Sequence, residues 1–160
     1  FEAFRATTIN RSEPRFQPAV KTLDQLIALA HANRCEAYIP RLGPTVKWPP
    51  GDLPSIEWDD FESMVTPWLN GKAFADNQPL QFWPIPQPPQ LSRYDRRSQL
   101  DYWQLAANRF DQNGWLTRSA VLIDPLHEGR PGTADATRAK CDLLQSGDGS
   151  IGRLGCGLGP

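Results

Sequence analysis

The sequence predicts an α/β fold with parallel strands. Apolar residues recur at helical spacing in four segments, near residues 22–33, 58–69, 98–112 and 133–145. Between the last two segments, residues 120–123 are all apolar, which is typical of a strand that is buried on both faces of a sheet. Because helices alternate with such short apolar segments, the pattern favours a parallel sheet that is covered by helices.

The first helix is predicted from its start signal. Residues 22–25 read Thr-Leu-Asp-Gln, the form of a capping box, in which the threonine oxygen accepts an N–H of the first turn and the glutamine reaches back. The apolar residues that follow extend the predicted helix to about Asn33. Residues 35–39 then predict a short strand, which Pro40 ends.

The second helix is predicted to begin near Trp58. The acidic residues of its first turns suit the positive end of the helix dipole. Pro67 has no N–H group, so we expect the helix to break or kink in its last turn. Asn70 and Gly71 form a stop signal directly after it.

The second half of the chain gives the clearest helix, over Ser98–Gln112. Asn113 and Gly114 follow it, and they suit the left-handed residue that commonly ends a helix. The apolar strand at 120–123 comes next, and a fourth helix is predicted over residues 133–145.

Two proline-rich segments separate these elements. Residues 40–54 and 78–90 together contain ten of the sixteen prolines of the chain. Proline fixes φ and cannot donate a hydrogen bond to a β-ladder, so both segments are predicted to be long loops. The second loop could include one short strand, near residues 80–83. An alternative for residues 78–90 is a polyproline segment that serves as a ligand for a partner domain.

Composition and pattern divide the 160 residues into three parts. Residues 1–21 show no period and are predicted to be irregular, residues 22–146 form the folded α/β domain, and the glycine-rich residues 147–160 are expected to be disordered because glycine loses the most backbone entropy on ordering. Only two or three strands can be recognised, which is few for a parallel sheet. We therefore expect the chain to be a piece of a larger protein.

Several classes of function are disfavoured by what the sequence lacks. A net charge of −1 gives no general basic field for nucleic acid, and no apolar run is long enough to span a membrane. The three cysteines form no paired spacing, so we expect neither a metal site nor a disulfide framework. No phosphate-binding loop or nucleophile elbow occurs, and we expect no cofactor. No signal peptide is recognisable, which leaves export open for a piece of a larger protein, and the oligomeric state is not indicated.

The candidate catalytic residues follow the predicted strand at 120–123. Active residues of parallel α/β folds lie at the carboxyl ends of strands, and Asp124 stands at that position, with His127 and Glu128 close behind. These are residue types for general acid and base catalysis, and we take Asp124 and Glu128 as the catalytic candidates. The alternative is structural, because aspartate before proline commonly starts a turn.

The candidate substrate-binding residues lie mainly after the first predicted strand and in the first proline-rich loop. Tyr38 and Arg41 stand at the end of the strand, Trp48 lies in the loop, and His127 lies beside the catalytic candidates. Aromatic residues in loops, here Tyr38, Trp48 and Trp83, suit stacking on sugar rings, although packing against the protein is their more common use.

Three motifs resemble glycoside hydrolase family 123 and its relatives. They are HANRCEAYIPRLGP, IEWDDFESMVTPWLNGKAF and LDYWQLAANRFDQNGWLTRSAVLIDP, and the resemblance covers roughly residues 24–146. It implies a (β/α)8 barrel, of which this chain would be a central part with long proline-rich loops. The residues that match the family pattern are Trp58, Phe61, Pro67, Leu69, Gly71, Phe74, Tyr102, Gly114, Trp115 and Leu116.

The resemblance implies hydrolysis of N-acetylgalactosaminides with the substrate's acetamido group as nucleophile. The family carries Asp-Glu-Pro, in which the glutamate is the acid/base and the aspartate orients the acetamido group, whereas this chain reads Ile123-Asp124-Pro125. Asp124 would replace the glutamate with a shorter side chain, and Ile123 would remove the orienting carboxylate. A shift of the proton donor by ~1 Å can cost about 10²-fold in rate.

The sequence is thus compatible with three hypotheses about function. The first is a central part of a glycoside hydrolase-like barrel with an altered catalytic motif, and the second is a non-catalytic carbohydrate-binding or structural domain. The third is an interaction module that uses residues 78–90. A small basic cluster of Arg93, Arg96 and Arg97 beside Tyr94 is interpreted as a solvated approach to the third helix rather than as a nucleic-acid patch.

Overall fold

The computed structural model of the chain describes residues 9–39, 42–123, 133–147, 149, 151 and 155–158. Within these ranges, four α-helices and four short strands make a small mixed α/β fold, which confirms the predicted class. In chain order they are α1 (Gln17–Ala32), β1 (Thr45–Lys47), β2 (Ser55–Glu57), α2 (Asp59–Leu69), α3 (Arg96–Gln112), β3 (Ala120–Ile123), α4 (Thr133–Gln145) and β4 (Gly155–Leu158).

The apolar strand predicted at 120–123 is β3, and it is paired in parallel. Its partner is β4, in a register that runs from Ala120 opposite Gly155 to Ile123 opposite Leu158. This corrects the expected disorder for residues 155–158, because β3 supplies backbone partners that local sequence cannot reveal.

A third extended segment joins β3 without being a regular strand. The N–H of Trp83 donates to the carbonyl of Arg118 at 3.0 Å, and the N–H of Ile85 donates to that of Ala120 at 3.0 Å. Donor and acceptor both advance by two residues in the same direction, as in a parallel ladder. Residues 78–90 contain no regular strand, so the short strand considered near 80–83 is not formed as such, but burial of Trp83 and Ile85 builds the segment into the fold.

The first proline-rich segment is not a continuous loop as predicted, since it contains β1. This strand pairs with β2 in an antiparallel hairpin, with Val46 opposite Ile56 and both packed against the core. Residues 45–47 contain no proline, so their N–H groups are available to the ladder although Pro44 and Pro49 flank them. Gly51 turns the chain between the two strands with a φ of +76°.

The helix α1 begins five residues earlier than its predicted capping box, at Gln17. Pro18 occupies its first turn, where the fixed φ of proline is favourable. The hydroxyl of Thr22 donates to the carbonyl of Pro18 at 3.0 Å, so the capping-box prediction is wrong. Val20 is buried as well, which extends the folded domain into residues that the sequence predicted to be irregular.

Residues 35–39 do not form the strand that was predicted there. The chain leaves the helix through Arg34, whose φ is +58°, and the N–H of Cys35 donates back to the carbonyl of Ala30 at 2.9 Å. Residues 35–39 continue without a ladder partner among the described residues.

The helix α2 continues through Pro67 to Leu69, which corrects the predicted break. Proline at this position leaves the carbonyl of Ser63 without its helical N–H donor. Arg11 supplies the missing donor, because its Nε lies 3.1 Å from the Ser63 oxygen and its Nη2 lies 3.2 Å from the Met64 oxygen. The same guanidinium forms a bidentate ion pair with Asp24, at 2.7 and 2.8 Å.

The helices α3 and α4 agree closely with their predictions. Asp95 caps α3, since its Oδ1 accepts the N–H groups of Arg97 and Ser98 at 2.9 and 3.0 Å, and Gly114 ends it with a φ of +72°. None of the helices in the described ranges is long and apolar enough to cross a membrane.

The core between the helices is rich in aromatic rings. The largest fully buried side chains of the core include Trp68, Trp83, Trp103, Tyr102, Phe61 and Phe110.

Candidate functional site

The carboxyl end of β3 is the place where an α/β fold presents ligand-binding groups. The bond between Ile85 and Ala120 fixes the level of the neighbouring extended segment. Each residue advances by about 3.3 Å along both the extended segment and β3, so Pro86 lies beside the second half of β3. Groups that surround Pro86 therefore lie near the edge at which β3 ends, directly before Asp124 in the sequence.

Three aromatic side chains, one from the hairpin and two from α3 and the turn before it, form a series of ring contacts that reaches Pro86 through Tyr102. Trp48 stacks on Tyr94 with ring centroids 4.0 Å apart and planes 17° from parallel. Tyr102 lies 6.0 Å from Trp48 with its ring tilted by 38°. We call Trp48, Tyr94 and Tyr102 the aromatic site.

Trp48 is placed by the hairpin. It follows β1 directly, and the pairing of β1 with β2 fixes the direction in which the chain leaves the strand. The chain before β1 also packs tightly, because a Cβ added to Gly43 would lie 2.9 Å from the Cβ of Pro86. A side chain at position 43 would therefore push the hairpin away from Pro86.

Tyr94 is placed by the turn that leads into α3. Residues 91–93 form a 3-10 turn anchored by buried Leu91, and the N–H of Tyr94 donates to the Leu91 carbonyl at 3.2 Å. The carbonyl of Tyr94 accepts the side-chain amide of Gln99 at 2.7 Å. Because Asp95 begins α3 immediately afterwards, Tyr94 is held between two ordered elements.

Tyr102 forms the buried base of the aromatic site. Its side chain is fully buried, and its hydroxyl donates to the carbonyl of Pro86 at 2.6 Å. Burial raises the pKa of this phenol far above its ordinary value, so the hydroxyl stays protonated and remains a donor. Tyr102 thus fixes the extended segment, and the groups open to a ligand are Trp48 and Tyr94.

The exposed parts of the aromatic site are suited to stacking. Tyr94 and Trp48 are both partly exposed. Apart from Trp48, no aromatic ring in the described part of the chain contacts Tyr94. Its hydroxyl also forms no hydrogen bond with the described residues. An aromatic face that carries a polar tip can bind a molecule with apolar and polar faces, such as a sugar ring.

The indole nitrogen of Trp48 adds an energetic observation. It is buried and has no acceptor among the described residues. An unpaired buried donor costs about 1–3 kcal/mol. The described residues therefore do not offset the desolvation of this donor.

The structure places the site residues predicted from the sequence in different parts of the fold. Trp48 is part of the aromatic site, whereas Tyr38 packs against the core and shares no ring contact with that site in the described chain. Trp83, considered for sugar stacking, is 1% exposed and packs on Trp68 at 5.6 Å, so it belongs to the core. The remaining candidates, Arg41, Asp124, His127 and Glu128, lie outside the described residues.

Sequence reasoning missed Tyr94 and Tyr102 as partners of Trp48. Helical periodicity indicates that Tyr102 faces inward on α3, but it does not identify the ring that Tyr102 approaches. The capping pattern of Asp95 and Ser98 could have placed Tyr94 directly before a helix. No local signal connects it to the hairpin.

A histidine–carboxylate pair lies elsewhere in the fold. Nε2 of His31 is 3.1 Å from Oδ2 of Asp76, and the imidazole stacks on Phe74 at 4.0 Å. The backbone N–H of Gln78 and the contact with His31 lower the pKa of Asp76. This pair joins the end of α1 to the segment after α2, and we interpret it as structural.

No group of three or more metal-binding side chains occurs among the residues that the structure describes. The aromatic site itself contains no carboxylate, thiol or imidazole, so it suits an organic ligand rather than a metal ion.

Comparisons of the chain with protein-family models, with curated proteins and with solved structures give no match.

Proposed function

We propose that this protein binds carbohydrate at the aromatic site, as part of a glycoside hydrolase-like (β/α)8 barrel whose ligands are N-acetylhexosaminide glycans. The observation that carries the proposal is the stacked, partly exposed pair of Trp48 and Tyr94 near the carboxyl end of β3. The parallel arrangement of residues 83–85, β3 and β4 is compatible with one sector of a barrel. A complete barrel needs about 250 residues, so the proposal includes strand–helix units beyond these.

Binding can be tested by calorimetric titration of the 160-residue protein. The probes are oligosaccharides of N-acetylglucosamine and of N-acetylgalactosamine. We expect Trp48→Ala and Tyr94→Ala each to weaken binding by about tenfold or more, because each removes a stacking face whose loss is worth about 1–2 kcal/mol.

Trp58→Ala is the matched control. Trp58 is also partly exposed, but it packs edge-on against Phe61 and Phe110. This variant should lose stability without losing affinity once it is folded. Equal loss of affinity in the Trp48 and Trp58 variants, or no binding by the parent protein, would refute the proposed site.

A second candidate function is weak hydrolysis of the same glycans. It is supported by the position of Asp124, which directly follows Ile123 at the end of the parallel strand β3. Aspartate in place of the family's glutamate leaves the proton donor shorter, so we propose slow turnover, about 10²-fold below that of a well-placed acid. The alternative is a binding domain without turnover.

Release of an aryl alcohol from an aryl N-acetylgalactosaminide distinguishes these alternatives. We expect slow release by the parent protein, a loss to background in Asp124→Asn, and unchanged glycan affinity in that variant. Absence of release, or equal release by parent and variant, would leave a carbohydrate-binding protein without hydrolase activity.

A further inference from the structure

We infer that the carbohydrate bound at the aromatic site is acidic, and that Arg93, Arg96 and Arg97 bind its carboxylate or sulfate groups. This inference rests on the proposed function and adds the chemical class of the ligand. It is carried by three exposed arginines that flank Tyr94 in the sequence, at the start of α3 and in the turn before it.

The three arginines enclose the exposed stacking residue in the sequence. Arg93 immediately precedes Tyr94, and Arg96 and Arg97 are the first two residues of α3. All three are exposed. In the part of the chain that the structure describes, none of their guanidinium groups forms an ion pair or a hydrogen bond.

Stability alone does not explain the positions of Arg96 and Arg97. The first turn of α3 contains no acidic residue, and its first two positions are cations. Positive charge at a helix N-terminus opposes the helix dipole and is unfavourable. A positively charged group that a fold keeps at a cost is expected to serve binding.

The acidic neighbours do not neutralise this cluster by direct pairing. Both oxygens of Asp95 are engaged in the cap, since Oδ2 also accepts the hydroxyl of Ser98 at 2.8 Å. These bonds lower the pKa of Asp95, chiefly through the N–H and hydroxyl of Ser98. Asp101, one turn beyond Arg97, forms no ion pair with it within the described residues.

The chemistry of the ligand follows from these two features. An aromatic face binds one side of a sugar ring, while guanidinium groups recognise carboxylate and sulfate by paired N–H donors. With an N-acetylhexosamine as the stacked sugar, this combination of groups favours a polysaccharide in which that sugar alternates with a uronic acid or carries sulfate.

Titration of the full chain with matched oligosaccharides tests the inference. The acidic probes are hyaluronan and chondroitin sulfate hexasaccharides, and the neutral probe is an N-acetylglucosamine hexamer. We expect the acidic probes to bind about tenfold more tightly, and the advantage to shrink as salt screens the exposed charges.

The variant Arg93→Gln/Arg96→Gln/Arg97→Gln should lose this advantage, about tenfold, while it retains binding of the neutral hexamer. It should fold at least as well as the parent, because removal of cations from the start of α3 relieves an unfavourable interaction. The control is Lys21→Gln/Arg34→Gln/Lys72→Gln, which removes the same charge from exposed positions away from Tyr94. The control should retain most of the preference.

The outcomes separate this inference from the proposed function. If Tyr94→Ala weakens neutral binding but the arginine variant keeps the acidic preference, the inference is wrong and carbohydrate binding stands. Equal effects of the two triple variants would also overturn it. Absence of binding to all three probes would refute both, and tighter binding of a single-stranded oligonucleotide would assign the site to nucleic acid instead.

Discussion

Replacing Gly71 by alanine should destabilise the protein by about 3 kcal/mol or more. Gly71 follows the end of α2 with a φ of +76°, a conformation that costs alanine about 1–2 kcal/mol. A Cβ at this position would also lie 2.8 Å from the carbonyl carbon of Asn77 and 2.9 Å from that of Gln78. These are backbone atoms, so the clash can be relieved only by moving the segment. Urea unfolding followed by circular dichroism measures the change.

Gly114 provides the control for this prediction. Its φ is +72°, yet a Cβ there meets no atom within 4 Å. Gly114→Ala should therefore cost only the conformational part, about 1–2 kcal/mol. Asparagine tolerates positive φ, so Gly114→Asn should be nearly neutral, whereas Gly71→Asn should remain strongly destabilising. A mild effect of Gly71→Asn would show that the close approach to Asn77 is not what demands glycine.

Replacing Arg11 by methionine should destabilise the protein by about 2 kcal/mol. The guanidinium pairs with Asp24 and donates to two carbonyls of α2, and both charged side chains are partly exposed, which limits the effect. Its loss leaves Asp24 with the indole N–H of Trp68, 2.8 Å away, as its remaining side-chain partner among the described residues. The free energy of unfolding from urea titration tests this expectation.

A double-variant cycle identifies the part that concerns Pro67. Pro67→Ala restores the N–H that the carbonyl of Ser63 lacks, so Arg11 is no longer needed for that bond. The cost of Arg11→Met should therefore be about 1 kcal/mol smaller in the Pro67→Ala background. Additive effects of the two substitutions would mean that Arg11 acts through Asp24 alone.

Features governed by nearby residues could be read from the sequence. Asn113 and Gly114 end α3 as predicted, and the apolar run from Ala120 to Ile123 is a parallel strand. The bounds of α4, Thr133–Gln145, coincide with the prediction. Capping, left-handed turns and helical periodicity act within a few residues, so local sequence contains their cause.

The candidate site was only partly accessible to such reasoning. Trp48 stands out as an aromatic residue in a proline-rich segment, but its stacking on Tyr94 depends on the hairpin and on the turn before α3. Trp83 carries the same sequence signal and is buried in the core instead. The difference arises because Trp83 lies on the segment that pairs with β3, where its side chain is enclosed.

The sequence by itself determined the α/β class and the positions of α3, α4 and β3. The tertiary structure decided the rest: the pairing of β4, the hairpin of β1 with β2, the passage of α2 through Pro67, and the meeting of Trp48 with Tyr94. The physical reason is common to all four. Each depends on a hydrogen-bond donor, a backbone partner or a ring face that a distant part of the chain supplies, and local propensity contains no information about that partner.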